Sequence, residues 1–324
     1  MYRENPMHQA ALAGGPGQKY HRIPRSLSTG LFSMFSGSLV ALVTPMGPDG
    51  SVDFGCLEKL VDWHVAQGTD ALVIAGTTGE SATLAKDEHV EVIRVAAARA
   101  AGRMPVIAGT GSNSTSQTID LSEAVGRLPI AGYLVVVPYY NKPTQEGIYR
   151  HFWAVADAVE QPVMLYNVPG RTVADMKPET VGRLAQHPRI FGIKEATGEL
   201  ERVASIRRLC GAEFRLYSGD DATAREFIRL GGHGVVSVTA NVAPAAMAQM
   251  CRAALAGETA GAAETDGLLV DLHRDLFIES NPIPVKWALQ RMGLIPTGIR
   301  LPLTPLSAAA QPKVEAALRR ARVL

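Results

Sequence analysis

The chemistry this sequence could perform centres on Lys194. It closes the apolar run Phe191-Gly192-Ile193, which places its stem in a hydrophobic setting. Burial disfavours an ammonium ion, and a neutral amine can attack a ketone to form a Schiff base. A lysine paired with Glu195, or one lifting its charge to a rim, fits the position equally well. Tyr166 favours the first reading, because a phenol beside an amine can move the protons that imine formation requires. Its plainer reading is an aromatic with a satisfied hydroxyl. Thr77 and Thr78 lie between Gly76 and Gly79, in a loop whose backbone can approach a ligand closely. They could relay a proton or hold a carboxylate; a turn and helix cap is as good a reading of either alone. Arg171 follows Pro169-Gly170 and could grip a carboxylate through two parallel hydrogen bonds, or form a rim salt bridge.

Other chemistries find less support. The 8 histidines form no HxH or HExxH pattern, and Asp87-Glu88-His89 opens a helix without a second ligand cluster, so no metal is expected. Gly109-Thr110-Gly111 lacks the remainder of either glycine-rich phosphate motif. No cysteine ends a strand, which argues against thiol catalysis.

These residues must be positioned by regular elements. Eight short β-rich runs alternate with helix-length amphipathic segments. The strands are expected at Leu39–Val43, Ala71–Ala75, Pro105–Ala108, Tyr133–Val137, Val163–Tyr166, Ile190–Lys194, Phe214–Tyr217 and Gly234–Val238. Helices are expected at Phe54–Gln67, Lys86–Ala101, Thr115–Arg127, Gln145–Val159, Pro178–Gln186, Glu199–Leu209 and Asp221–Leu230. Pro178 suits a first helical turn, and Thr115 and Asp221 are candidate N-caps. Strands alternating with helices imply a parallel sheet. Eight units in roughly 220 residues fit a closed (β/α)8 TIM barrel, whose usual size is about 250 residues. The alternative is a doubly wound open sheet, but Thr44-Pro45-Met46-Gly47 after the first strand is no dinucleotide fingerprint. In the barrel, active-site groups gather at the carboxyl ends of the strands. Thr77, Thr78, Tyr139, Tyr140, Tyr166, Arg171, Lys194 and Gly219 all fall at such ends.

The barrel is expected to span residues 34–257, with a helical C-terminal appendage over 258–324. Its helices are expected at Pro244–Ala256, Thr259–Phe277, Pro284–Met292 and Gln311–Ala321. Residues 1–33 stand apart. Arg3, Lys19, Arg22 and Arg25 against Glu4 leave a local charge of +3, with no hydrophobic signal core. A disordered extension is preferred over a transit peptide, with Met34 as a candidate working initiator.

Composition narrows the function classes. The 32 Lys and Arg nearly balance 31 Asp and Glu, leaving a net charge of +1 and no overall basic excess for nucleic acid. With 47% apolar residues the chain is not compositionally disordered. Apolar runs such as Leu134 to Val137 are strand-length, so no membrane span is expected. Cys56, Cys210 and Cys251 are scattered, which suits a reducing, cytoplasmic setting. There the sequon Asn113-Ser114-Thr115 is only a turn.

The motifs Gly76-Thr77-Thr78-Gly79-Glu80, Tyr139-Tyr140-Asn141-Lys142-Pro143, Tyr166-Asn167-Val168-Pro169 and Gly192-Ile193-Lys194-Glu195-Ala196-Thr197 resemble the dihydrodipicolinate synthase family. So do Ser218-Gly219-Asp220-Asp221, Gly231-Gly232-His233-Gly234-Val235 and Asn281-Pro282-Ile283-Pro284-Val285-Lys286-Trp287. The resemblance runs from Met34 to the C-terminus. It implies that pyruvate forms an imine on Lys194 without any other cofactor, and that the derived enamine attacks L-aspartate 4-semialdehyde. It implies Tyr166 as proton donor and acceptor, with Thr77 and Tyr140 completing a relay. The family's counterpart of Tyr140 reaches in from a neighbouring subunit, which implies a homo-oligomer, usually a tetramer built as a dimer of dimers. Thr78 would hold the pyruvate carboxylate, Gly219 and Val236 would line the pocket, and Arg171 would receive the semialdehyde carboxylate. Val236 stands where isoleucine is frequent, a change that spares a backbone role.

Many family members are inhibited by lysine at a subunit interface. The matching positions are Ser81, Ala82, Lys86, His89, Asn113, Gln117 and Tyr139. Lys86 replaces a common histidine, and Gln117 replaces a glutamate that often meets the inhibitor's ammonium. Both changes disfavour a cationic ligand, so feedback is expected to be weak or absent. Two other functions stay open: a sister aldolase acting on N-acetylneuraminate or a 2-keto-3-deoxy sugar acid, and a barrel that only binds.

Overall fold

A computed structural model describes residues 36–324. The expectations for residues 1–33 and Met34 lie outside these. Eight parallel strands form a closed barrel in sequence order: β1 Gly37–Ala41, β2 Ala71–Ile74, β3 Val106–Gly109, β4 Gly132–Val136, β5 Val163–Asn167, β6 Ile190–Glu195, β7 Arg215–Ser218 and β8 Gly234–Ser237. Closure is direct, because β1 pairs with both β2 and β8. The open-sheet alternative is therefore excluded. Each strand is apolar on both faces, as a sheet covered inside and out requires. Outward residues such as Val40, Leu72, Val135 and Ile193 join a large core with the surrounding helices. Inward residues form a second, smaller cluster that includes Leu39, Val73, Ile107, Leu134, Met164, Phe191 and Val236.

The helices between strands follow the sequence pattern to within about three residues at their ends, the usual scatter of helix termini. Two cap assignments differ. Ser114, not Thr115, caps the helix Thr115–Val125 by accepting from the Gln117 amide. Thr115 instead shares a hydrogen bond with His151 Nδ1 at 2.9 Å. Asp221 is not a cap either: the helix begins later, at Ala224. Its Oδ2 accepts from the Val238 and Thr239 amides, both at 2.9 Å, which fastens the chain leaving β8. A buried carboxylate is better used on two strand-end amides than on one cap.

The tail contains helices Thr259–Asp275, Ile283–Arg291 and Gln311–Arg320. It folds back onto the barrel mouth. Lys286, 4% exposed, forms an ion pair with Glu80, 3% exposed. Arg300 grips Glu88 with two bonds of 2.6 Å and reaches the Gly50 and Thr83 carbonyls, both at 2.8 Å. Gly298 lies so close to the Gly47 carbonyl that a Cβ would sit 2.0 Å from it. The tail is thus packed against the segments that follow β1 and β2, at the carboxyl ends of the strands.

Burial also sets the acid response. It pulls His64 down to about 3, and His151 and His233 down to about 4, so all three are neutral in the folded chain near pH 6. Unfolding would restore values near 6.5. The unfolded chain then binds more protons, so stability is full above about pH 6.5 and falls as pH drops towards 4. Thermal denaturation against pH should show the melting temperature declining across that window, with His151→Gln flattening the slope. A level profile between pH 7 and 5 would contradict this.

Candidate active site

Lys194 reaches the barrel interior because β6 slips against β5. The register pairs Val163 with Ile190 but Met164 with Gly192, leaving Phe191 as an extra residue. Phe191 faces inward, and strict alternation from it would turn Lys194 outward. The extra residue resets the phase. Ile193 then packs outward, and Lys194 lies level with Tyr166 on β5 and Tyr217 on β7.

Lys194 is 6% exposed, and its Nζ sits 4.3 Å from the centre of the Tyr166 ring. Among the described residues no carboxylate lies within 4.0 Å of it. The Glu195 pairing is excluded, since Glu195 belongs to the opposite face. Its carboxylate accepts from Asn167 Nδ2 and from the Thr197 amide, with Arg202 at 3.6 Å. Burial raises the Glu195 pKa against the pull of Arg202. Arg202 also holds Asp175, whose pKa falls below the usual range despite burial. This network bridges the ends of β5 and β6, back to back with the Lys194 and Tyr166 pair.

Gly219 follows β7 and borders the lysine stem. A Cβ there would lie 2.9 Å from Lys194 Cε and 2.5 Å from Ala196 Cβ. Val236 lies in the inner cluster with Tyr166 and Tyr217. Burial raises the Tyr217 pKa, keeping that phenol neutral.

Thr77 and Thr78 occupy a tight turn after β2. Ala75 and Glu80 both take left-handed backbone angles, φ 54° and 57°. Gly79 is closely packed: a Cβ would meet the Ala75 backbone at 3.0 Å. Its carbonyl accepts from Thr44 Oγ1 at 2.7 Å, and the Glu80–Lys286 pair anchors the turn's far side. Thr77 is half-buried; Thr78 is buried, and its Oγ1 accepts from Asn281 Nδ2 at 3.0 Å. Arg171 stands on a short helix, Pro169–Thr172, and donates from Nη2 to the Asn281 carbonyl at 3.3 Å. Asn281 thus joins two site groups. Asn281 falls within the motif Asn281-Pro282-Ile283-Pro284, but no spacing in the sequence links it to Thr78 or Arg171, more than 100 residues away.

The structure brings together Lys194, Tyr166, Gly219 and Val236, and separately Thr78 and Arg171 through Asn281. It does not bring Tyr140 into its own barrel. That residue is 86% exposed, with φ 76°. Tyr139 is 37% exposed beside it. The remaining positions gather around two helix starts. Ser81 and Ala82 lie in a 3-10 turn, and Lys86 opens the helix Lys86–Ala100 and pairs with Asp120. His89 is buried with Nε2 at 2.7 Å from the Gly109 carbonyl. Gln117 Oε1 accepts from Ser112 Oγ, and the Asn113 carbonyl accepts from Asn141 Nδ2. Asp120 therefore offsets part of the Lys86 charge. Among the described residues no cluster of three or more His, Cys, Asp or Glu side chains could hold a metal, and no helix is long and apolar enough to cross a membrane.

Known proteins resemble this chain over most of its length. A 4-hydroxy-tetrahydrodipicolinate synthase of Methylococcus capsulatus is 62% identical over 291 residues, covering 90% of this chain and 100% of that one. The dihydrodipicolinate synthase of Acinetobacter baumannii, solved with pyruvate, is 51% identical, with a TM-score of 0.88 over 89% of this chain and 99% of that one. A dihydrodipicolinate synthase variant described as monomeric is 38% identical, with a TM-score of 0.88 over 90% of this chain and 99% of that one. The family model described as the dihydrodipicolinate synthetase family matches residues 34–321, and the chain belongs to that family.

Proposed function

We propose that this chain condenses pyruvate with L-aspartate 4-semialdehyde to 4-hydroxy-tetrahydrodipicolinate, the committed step towards diaminopimelate and lysine, in the cytoplasm. The observation that carries the mechanism is a buried lysine without an ion-pair partner among the described residues, set over a tyrosine ring inside the barrel. The Lys194 amine adds to the pyruvate ketone and water leaves, giving an imine with no other cofactor. Its protonated nitrogen withdraws electrons, so a methyl proton is lost and an enamine forms. The enamine carbon bonds to the aldehyde carbon, whose oxygen gains a proton. The substrate's own amine then displaces Lys194 and closes the ring.

Tyr166 is the proton donor and acceptor in this scheme, with Thr77 and Tyr140 of a neighbouring copy as its relay. Thr78 binds the pyruvate carboxylate, with Gly219 and Val236 lining that pocket. Arg171 suits the semialdehyde carboxylate, being a guanidinium at the mouth. The exposed Tyr140 supports a homo-oligomer, a tetramer as dimer of dimers. Holding a non-glycine residue at φ 76° costs about 1–3 kcal/mol, a strain that projects this ring outward. The second site over Ser81, Ala82, Lys86, His89, Asn113, Gln117 and Tyr139 should bind lysine weakly, because Gln117 supplies no carboxylate for its ammonium.

Borohydride with pyruvate should modify Lys194, and Lys194→Ala should abolish both the adduct and turnover. In a reductase-coupled assay, Tyr166→Phe should lower kcat roughly 100- to 10,000-fold. Turnover with N-acetylmannosamine in place of the semialdehyde would instead favour the sister aldolase. Absence of any adduct would favour the binding barrel. Gly219→Ala should both slow adduct formation and lower the melting temperature, because its methyl meets Ala196 Cβ at 2.5 Å and Lys194 Cε at 2.9 Å. Adduct formation at the unmodified rate would contradict that. Lysine titration should leave activity intact at sub-millimolar concentration; strong inhibition there would overturn the weak-site reading.

A further inference from the structure

We infer that Asn281 is a positioning residue that sets the hydrogen-bond polarity of Thr78 and steadies Arg171, so that one tail residue orients both carboxylate-binding groups. Asn281 is 6% exposed and lies where the tail returns over the barrel mouth, just before the helix Ile283–Arg291. Its Nδ2 donates to Thr78 Oγ1 at 3.0 Å, and its backbone carbonyl accepts from Arg171 Nη2 at 3.3 Å. Its Oδ1 is buried without a partner among the described residues. Among the described residues the amide's one side-chain hydrogen bond is the one to Thr78.

The polarity matters chemically. A hydroxyl has one proton to give. When Thr78 Oγ1 already accepts from the amide, that proton is left for a ligand. The carboxylate of a 2-keto acid can only accept. An amide donor behind Thr78 therefore selects the hydroxyl orientation that binds the anion. The same residue fixes Arg171, the group facing the second anionic substrate. The Glu80–Lys286 pair holds this contact from the side, since Glu80 closes the threonine turn and Lys286 lies five residues beyond Asn281.

This inference rests on the imine-forming reading, and its test separates the two. Asn281→Asp keeps the shape and the backbone carbonyl but replaces the donor with an acceptor-only carboxylate. The Thr78 proton would turn to that carboxylate, and the pyruvate anion would meet a like charge. The pyruvate concentration for half-maximal borohydride modification of Lys194 should rise by about tenfold or more, as loss of a charge-assisted hydrogen bond implies. KM for pyruvate should rise with it while kcat falls less. Should the Asp variant fail to fold, Asn281→Ala measured alone and with Thr78→Val takes its place. Asn281→Ala should raise the half-maximal concentration alone and add nothing further once the hydroxyl is gone. An unchanged pyruvate dependence in a folded Asn281→Asp chain, or additive effects in the cycle, would overturn the inference while leaving the imine reading intact. Failure of the unmodified chain to form any adduct would remove both.

Discussion

A single register slip between β5 and β6 gives Lys194 its place, and the chemistry depends on it. Strand side chains alternate, so Phe191 and Lys194, three residues apart, cannot share a face without an irregularity. Phe191 fills the barrel interior and Ile193 fills the outer core. Only the extra residue at Phe191 lets both be satisfied while the amine turns inward. Barrel closure makes the slip consequential, because an inward residue at a strand end meets other inward strand ends. Tyr166, Tyr217 and Val236 are there for that reason. On the outer face, Asn167 and Glu195 pair across the same two strands, one residue beyond Tyr166 and Lys194. Their network with Asp175 and Arg202 holds the slipped register from behind.

The second constraint comes from the tail. Glu80 and Lys286 are both almost fully buried, and removing either partner of such a pair typically costs about 3–5 kcal/mol. Burial lowers the Lys286 pKa while Glu80 pulls it back up. The pair fixes the turn carrying Thr77 and Thr78 to the helix that follows Asn281. The tail is therefore part of the site. Its deletion would leave a buried carboxylate beside the threonines and remove the partner of Arg171.

Tyr140 follows a different logic. Lys194, Tyr166, Thr78 and Arg171 are supported by their own barrel and tail, whereas this ring is 86% exposed with a left-handed backbone angle. In the proposed mechanism the machinery therefore divides into a part a lone chain assembles and a part that association supplies.

Much of this was legible in the residues. Eight apolar runs separated by amphipathic segments dictate a parallel barrel, because a strand apolar on both faces must be covered on both. Strand-end position singled out Lys194, Tyr166, Thr78 and Arg171, and the shared motifs named their family. Local signals were weaker where several groups compete for one partner. Ser114 displaced Thr115 as a cap because the neighbouring His151 claims the threonine hydroxyl, and Asp221 served the end of β8 instead of a helix. The direction of Lys194 was beyond reach, since a register slip is a property of two strands and leaves no mark on one. The same holds for Asn281 on Thr78 and for Lys286 on Glu80. Sequence determined the elements, their order and the chemical types at the strand ends, because these follow from periodicity and residue type along a single chain. Tertiary structure decided which way the amine points and which distant residues hold its neighbours. Those depend on closure and packing among segments some 200 residues apart.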